Sequence, residues 1–248
     1  MSLDERLQYV AMKSRHKNLL LPWYKKWWGI LILITLAIFL IILIASTFYV
    51  IDKVKQIQAE KQQTNLETGR QEYLQAINGD GSNYKIGAAN PQLTITEFGD
   101  FACPFCAQSA TAIRKVVTQY PNQVKFIFRD YPLHDNSIDL ALAARCAGEQ
   151  NKFWEMHDQL FANQEVLNAS TTELSTGLAT IASQLKLNVT QFNLCISDRK
   201  YVSQIKRDYE DGEILAIKGT PTWFVNNYTI TGYLTEENFT ELINGLIK

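Results

Sequence analysis

Residues Gly29 to Val50 carry no charge and no proline, and are built mainly from Ile, Leu, Ala, Phe and Val. At ~1.5 Å per residue a helix of this run is about 33 Å long, enough to cross a bilayer core of about 30 Å. It exceeds the ~7–15 apolar residues of a cleavable signal peptide. Ile44-Ala45-Ser46-Thr47 is also a poor cleavage site, so the run reads as an uncleaved signal anchor. Arg6, Lys13, Arg15, Lys17, Lys25 and Lys26 precede it against Asp4 and Glu5, whereas Lys53 and Lys55 follow it behind Asp52. That asymmetry predicts a single-pass membrane protein with a cytoplasmic N-terminus and everything after residue 51 outside, in a periplasm or extracellular. Trp23, Tyr24, Trp27 and Trp28 on one side, and Tyr49 on the other, suit interfacial anchoring.

The span divides the chain. Residues 1–28 read as a cytoplasmic tail and 29–50 as the membrane helix. Residues 51–82 read as a helical spacer rich in Lys, Gln and Glu, whose apolar positions are too irregular for a coiled-coil seam. The turn cluster Asn78-Gly79-Asp80-Gly81-Ser82-Asn83 closes it. Residues 83–248 then form one domain, long enough for a real core.

The net charge of −1 leaves no basic patch for nucleic acid. All four cysteines, Cys103, Cys106, Cys146 and Cys195, fall on the side placed outside the cytoplasm. Disulfides form and persist there, and the sequence alone permits three pairings.

Within the domain, Leu93-Thr94-Ile95-Thr96-Glu97-Phe98 alternates as a strand, a helix runs from about Cys103 to Tyr120, and Val124-Lys125-Phe126-Ile127-Phe128 is a second strand. That is a parallel, right-handed βαβ unit. From about 137 to 218 the pattern is helical. Phe153, Trp154, His157, Leu160 and Phe161 share one face, as do Leu174, Leu178 and Ile181 on the next helix. Trp223-Phe224-Val225 and Tyr228-Thr229-Ile230 form a hairpin across Asn226-Asn227, and a last helix opens at Thr235. Asn168, Asn188, Asn227 and Asn238 begin N-x-[ST] triplets that arise by chance in such a chain and carry no weight here.

The chemistry sits in Cys103-Pro104-Phe105-Cys106, at a strand-to-helix junction. At the helix N-terminus free N–H groups and the helix dipole favour a thiolate at Cys103, the species that attacks in disulfide exchange. Pro104 suits the first helical position, where no N–H is needed. Cys106, one turn in, is the buried resolving thiol, and Cys103 the exposed nucleophile. A zinc site needs two more ligands, and no second C-x-x-C or H-x-x-H is present, so no resident metal or cofactor is expected. Glu97 shares strand parity with Leu93 and Ile95, which puts an acid on an apolar face where its pKa rises. His157, Asp158 and Asp100 read as packing, surface and turn residues.

Three separated segments carry a resemblance: Glu97-Phe98-Gly99-Asp100-Phe101-Ala102-Cys103-Pro104-Phe105-Cys106, Lys152-Phe153-Trp154-Glu155-Met156-His157-Asp158, and Gly219-Thr220-Pro221-Thr222-Trp223-Phe224. Over roughly residues 83–248 the chain resembles the DsbA-like thiol oxidoreductases, thioredoxin folds interrupted by a helical subdomain. The resemblance implies an α/β fold of order β-α-β, helical insertion, β-β-α. It implies that Glu97 relays the proton of Cys106 and that Pro221 is cis and turns the backbone of Thr220 toward an extended substrate. It also implies a second, structural disulfide between Cys146 and Cys195. The implied activity is a membrane-anchored thiol:disulfide oxidase acting on exported, unfolded polypeptides with cysteines and reoxidised by a quinone-linked membrane partner. Phe105 departs from the family, which often carries a His in that dipeptide, so one thiolate-stabilising group is missing. An extracytoplasmic reductase or isomerase keeps the same chemistry in reverse. A Cu(I)-handling dithiol is a third reading, disfavoured by a chain with three Met.

Overall fold

The computed structural model describes residues 2–19, 22–167, 171–226 and 228–247. It divides into two units, residues 1–68 and 69–248. The first holds helix α1 (Leu3–Leu19), a short 3₁₀ turn (Trp23–Lys25) and the larger part of α2 (Trp27–Asn78). The apolar run lies wholly inside α2, which is long and apolar enough to cross a membrane. Ile38, Phe39, Leu40 and Ile41 are all exposed on it. A soluble domain would turn at least one face of such a stretch into its core.

The second unit is built on five strands: β1 (Tyr84–Gly87), β2 (Leu93–Gly99), β3 (Val124–Asp130), β4 (Thr222–Val225) and β5 (Tyr228–Thr231). Their order is β1-β3-β2-β4-β5. β2 and β3 are parallel, with α3 (Pro104–Gln119) as the crossover between them, and every other pair is antiparallel. With α10 (Glu236–Leu246) after β5, this is the β-α-β, insertion, β-β-α order of a thioredoxin fold. α10 starts from Thr235, whose side chain and that of Asn238 cap each other's backbone N–H.

β1 is an addition that the alternation did not announce. It follows the turn cluster, pairs Tyr84 with Phe128, and stops at Gly87, which lies at φ +101° with Val124 O where a Cβ would stand. A side chain there would clash with the neighbouring strand.

The insertion comprises α4 (Ser137–Gly148), α5 (Phe153–Ala162), α6 (Gln164–Leu167), α7 (Thr171–Gln184), α8 (Val189–Ser197) and α9 (Val202–Ile214). α5 buries Phe153, Met156, His157, Leu160 and Phe161. Trp154 is only half-buried, lying against Phe126 with the Arg114 guanidinium over its ring. Leu174, Leu178 and Ile181 of α7 are buried. The insertion is tied to the sheet by buried charge. Arg129 on β3 and Arg145 on α4 both reach Asp208 on α9, at 2.7 and 2.5 Å. Arg145 also binds Asp130, Arg129 binds Asp211, and Arg129 Nη1 donates to the carbonyl of Ala76 at the end of α2. Asn188 caps α8 through the N–H of Gln191. Asn226 takes the left-handed backbone, at φ 52°, that the hairpin turn needs; Asn227 and Asn168 lie outside the described residues.

Candidate active site

β2 ends at Gly99, and three residues carry the chain to Cys103, the N-cap of α3, with Pro104 as its first residue. Cys103 and Cys106 are both free thiols. A hydrogen bond from Cys106 is the largest influence on Cys103. It acts with the Thr220 side chain and the backbone N–H groups of Cys106 and Phe105, against burial, to lower the Cys103 pKa to about 5. Helix N-termini stabilise anions in just this way. Cys106 goes the other way: burial first, then its bond to Cys103 and the charges of Glu97 and Cys103, push its pKa well above that of a free thiol. One sulfur is poised to attack and leave, the other to stay protonated until resolution.

Cys103 is not the exposed residue that its role suggests. It is 3% exposed against 0% for Cys106. The carbonyl of Thr220 accepts from its sulfur at 3.3 Å and covers it. That contact suits the thiol, whereas the Thr220 side chain acts in the thiolate's favour. The two cysteines therefore differ in electrostatics and helix position more than in access. The Thr220–Pro221 bond is cis. Phe105 is half-exposed and stacks on Tyr233 at 6.4 Å between ring centroids.

Glu97 is 1% exposed, paired across the strands with Phe128 on β3 and Trp223 on β4. Neither carboxyl oxygen has a hydrogen-bond partner among the described residues. Burial, and then the charge of Cys103, hold its pKa well above the carboxylate range. Space beside it is tight: a Cβ on Gly99 would lie 2.9 Å from Glu97 Oε1 and 2.6 Å from Phe128. Cys146 and Cys195 are brought together elsewhere, as a disulfide between α4 and α8. His157 is fully buried among Phe101, Phe128, Phe153 and Phe161, and Asp158 binds both His157 and Arg114. Among the described residues no cluster of His, Cys, Asp and Glu suits a metal ion.

Three residues at the site escaped sequence reasoning. Asp100, read as a turn residue, is buried, and its carboxylate accepts from the N–H groups of Ala102 and Leu133 and meets His134 Nδ1. His134 follows β3 in a loop where nothing local marks it. Gln164 on α6 donates to the carbonyls of Phe101 and Cys103 at 2.8 and 2.9 Å, clamping the approach to the dithiol from the insertion.

Residues 80–245 match the family described as Thioredoxin. Among solved structures, alpha-DsbA1 of Wolbachia pipientis superposes with a TM-score of 0.61 at 22% identity, covering 68% of this chain and 92% of that one. Oxidised BdbD of Bacillus subtilis gives 0.59 at 24% identity, over 68% and 95% of the two chains. Among curated proteins, the Na(+)/H(+) antiporter NhaA 1 of Salinispora arenicola (strain CNS-205) is 35% identical over 143 residues, 56% of this chain but 21% of the antiporter. NhaA 3 of Salinispora tropica is 34% identical over 143 residues with the same coverage. The chain thus spans about a fifth of the length of the curated relatives it matches.

Proposed function

The chain belongs to the thioredoxin family, and from that premise we propose that it is a membrane-anchored thiol:disulfide oxidase, passing the Cys103–Cys106 disulfide to exported polypeptides. One observation carries this reading: the Cys103 thiol, with its pKa near 5, stands beside a Cys106 thiol whose pKa is raised. Stabilising the thiolate stabilises the reduced protein and so makes the disulfide the stronger oxidant.

The steps balance as follows. A substrate thiolate attacks Cys103 Sγ, the Cys103–Cys106 bond breaks, and Cys106 leaves and takes up a proton, for which the Glu97 carboxyl is the nearby donor. A second substrate thiolate then attacks the substrate sulfur of the mixed disulfide, and Cys103 departs as the thiolate. The substrate loses two electrons and the pair gains them. Return to the disulfide falls to a membrane oxidant of the quinone-linked type. α2 is the proposed anchor, with the N-terminus inside and the catalytic domain in the oxidising compartment, as the flanking Lys and Arg residues argue. Thr220, beside Cys103, is the backbone that an extended substrate would pair with.

Equilibration of the dithiol with glutathione buffers tests the reading. An oxidase lies well above thioredoxin's potential of about −270 mV. A value at or below that figure assigns the reductase direction and overturns the oxidase.

A further inference from the structure

Asp100 is a joint between two segments that the sequence keeps apart. Its carbonyl accepts the N–H of Cys103 at 3.0 Å, and its own N–H reaches Cys106 Sγ at 3.4 Å. Its carboxylate faces the other way: Oδ1 accepts from Ala102 at 2.8 Å, and Oδ2 accepts the N–H of Leu133 at 2.8 Å and meets His134 Nδ1 at 2.7 Å. Asp100 is buried, whereas the His134 side chain is 46% exposed. With Nδ1 turned onto the buried carboxylate and nearly half of its side chain exposed, the imidazole can exchange protons with solvent.

We propose that His134, joined to the dithiol through Asp100, is a positioning residue that supplies the positive charge which Phe105 cannot, and so ties the oxidising strength of Cys103–Cys106 to the protonation of one imidazole. The proposal deepens the thiol–disulfide reading and rests on it. The charged groups acting on His134 are Asp100, Cys103 and Asp135. Its hydrogen bond to Asp100 is the largest cause, and the negative charges of all three hold its pKa above the usual imidazole range despite partial burial. Attraction is reciprocal: a thiolate that helps keep the imidazole protonated is itself kept ionised by the imidazolium. Cys106, Thr220 and the α3 N–H groups act more strongly on Cys103, so His134 adjusts a thiolate that they create.

The sign follows from the two titrations. Below about pH 5 Cys103 takes its proton and the pair loses its charge. Above the pKa of His134 the cation is gone. Between those limits imidazolium and thiolate coexist, and the contribution of His134 to the oxidising strength of the disulfide is at its largest.

The experiment equilibrates the full chain in detergent with glutathione from pH 5.5 to 8.5, as wild type and as His134→Gln. Glutamine can still hydrogen-bond Asp100 but carries no charge. Expected is a loss of oxidising strength of ~2–10-fold at the acid end, fading to under ~2-fold at pH 8.5, the size of a change of up to about one pKa unit at Cys103. His134→Lys, charged throughout, should match wild type at the acid end and exceed it in oxidising strength at pH 8.5. A second measurement needs no substitution: the NMR-detected pKa of His134 should fall by at least ~0.3 unit when the pair is oxidised, because the thiolate disappears. Equal His134 titration in both redox forms, or a His134→Gln change of the same size at every pH, overturns the proposal. A wild-type constant as low as thioredoxin's removes the oxidase reading instead, and leaves the pH-dependent difference between wild type and variant to be judged separately.

Discussion

Glu97 lies directly opposite Trp223 across the antiparallel pair of β2 and β4, with Phe128 opposite it on the other side. A carboxyl thus stands between two aromatic residues with no hydrogen-bond partner among the described residues. Its folded pKa is raised, by burial first and the Cys103 charge second. The folded protein therefore holds this proton where the unfolded chain has released it. Stability is lost as pH rises above the ordinary carboxyl value of 4.5 toward the folded one. Glu97→Gln should raise unfolding stability of the reduced protein at pH 8, where the folded chain must hold a proton that the unfolded chain has released, and change it little at pH 4. The same variant should slow the departure of Cys106 and flatten the pH dependence of exchange. Urea unfolding at the two pH values, with stopped-flow exchange, reads both effects. An unchanged pH profile would end the relay role.

The Cys103 thiolate should be directly visible. With a pKa near 5, alkylation of the reduced protein by iodoacetamide, and absorbance at 240 nm, should show a midpoint near pH 5 rather than the ~8.5 of free cysteine. Cys106→Ala removes the largest stabilising contact and should move the midpoint up by about one unit, tenfold in the ionisation constant. A wild-type midpoint above pH 8 would leave the helix N-terminus without influence on the sulfur.

The parts of this site that sequence could show were local. Cys103 and Cys106 lie one turn apart at a strand-to-helix junction, and Glu97 breaks an apolar parity, so spacing alone reveals them. What escaped were partnerships across long separations. Gln164 meets the Cys103 carbonyl across 61 residues, and His134 meets Asp100 across 34. Periodicity says which face a residue occupies and is silent on what it will meet there. Asp100 shows the limit well: its turn position was legible, while the buried carboxylate joining two loops was not. Strand β1 escaped because four residues after a turn cluster are too few to set an alternation. The nucleophile's burial escaped because the covering group, Thr220, is 117 residues away.

Asp208 is the shared anion of the buried network, accepting from Arg129, Arg145, Asn83 and the N–H of Asp130. Asp208→Asn keeps its shape and removes its charge, leaving two buried guanidinium groups to Asp130 and Asp211. Breaking a buried pair from one side costs about 3–5 kcal/mol. Because the network joins β3, α4 and α9, the loss should appear as a lower urea midpoint with the fold otherwise retained. A loss under ~1 kcal/mol would mean that the charges are solvated or replaceable.

The Cys146–Cys195 bond joins α4 to α8 within the insertion, across a sequence separation of 49. Closing a loop of that size removes unfolded-chain entropy worth about 4 kcal/mol, often less in practice. The double variant Cys146→Ser, Cys195→Ser should therefore unfold ~2–4 kcal/mol more easily in urea, measured with the Cys103–Cys106 pair oxidised in both proteins. Among the described residues none of the hydrogen bonds at Cys103 or Cys106 involves Cys146 or Cys195, so the glutathione equilibrium of the pair should change by less than ~2-fold. A larger change would show that the insertion transmits strain to the active-site loop, and a direct clamp through which it could do so is Gln164, on the carbonyls of Phe101 and Cys103. Adding Gln164→Ala to the serine variant would then decide the route: if the clamp carries the strain, removing it restores the wild-type equilibrium.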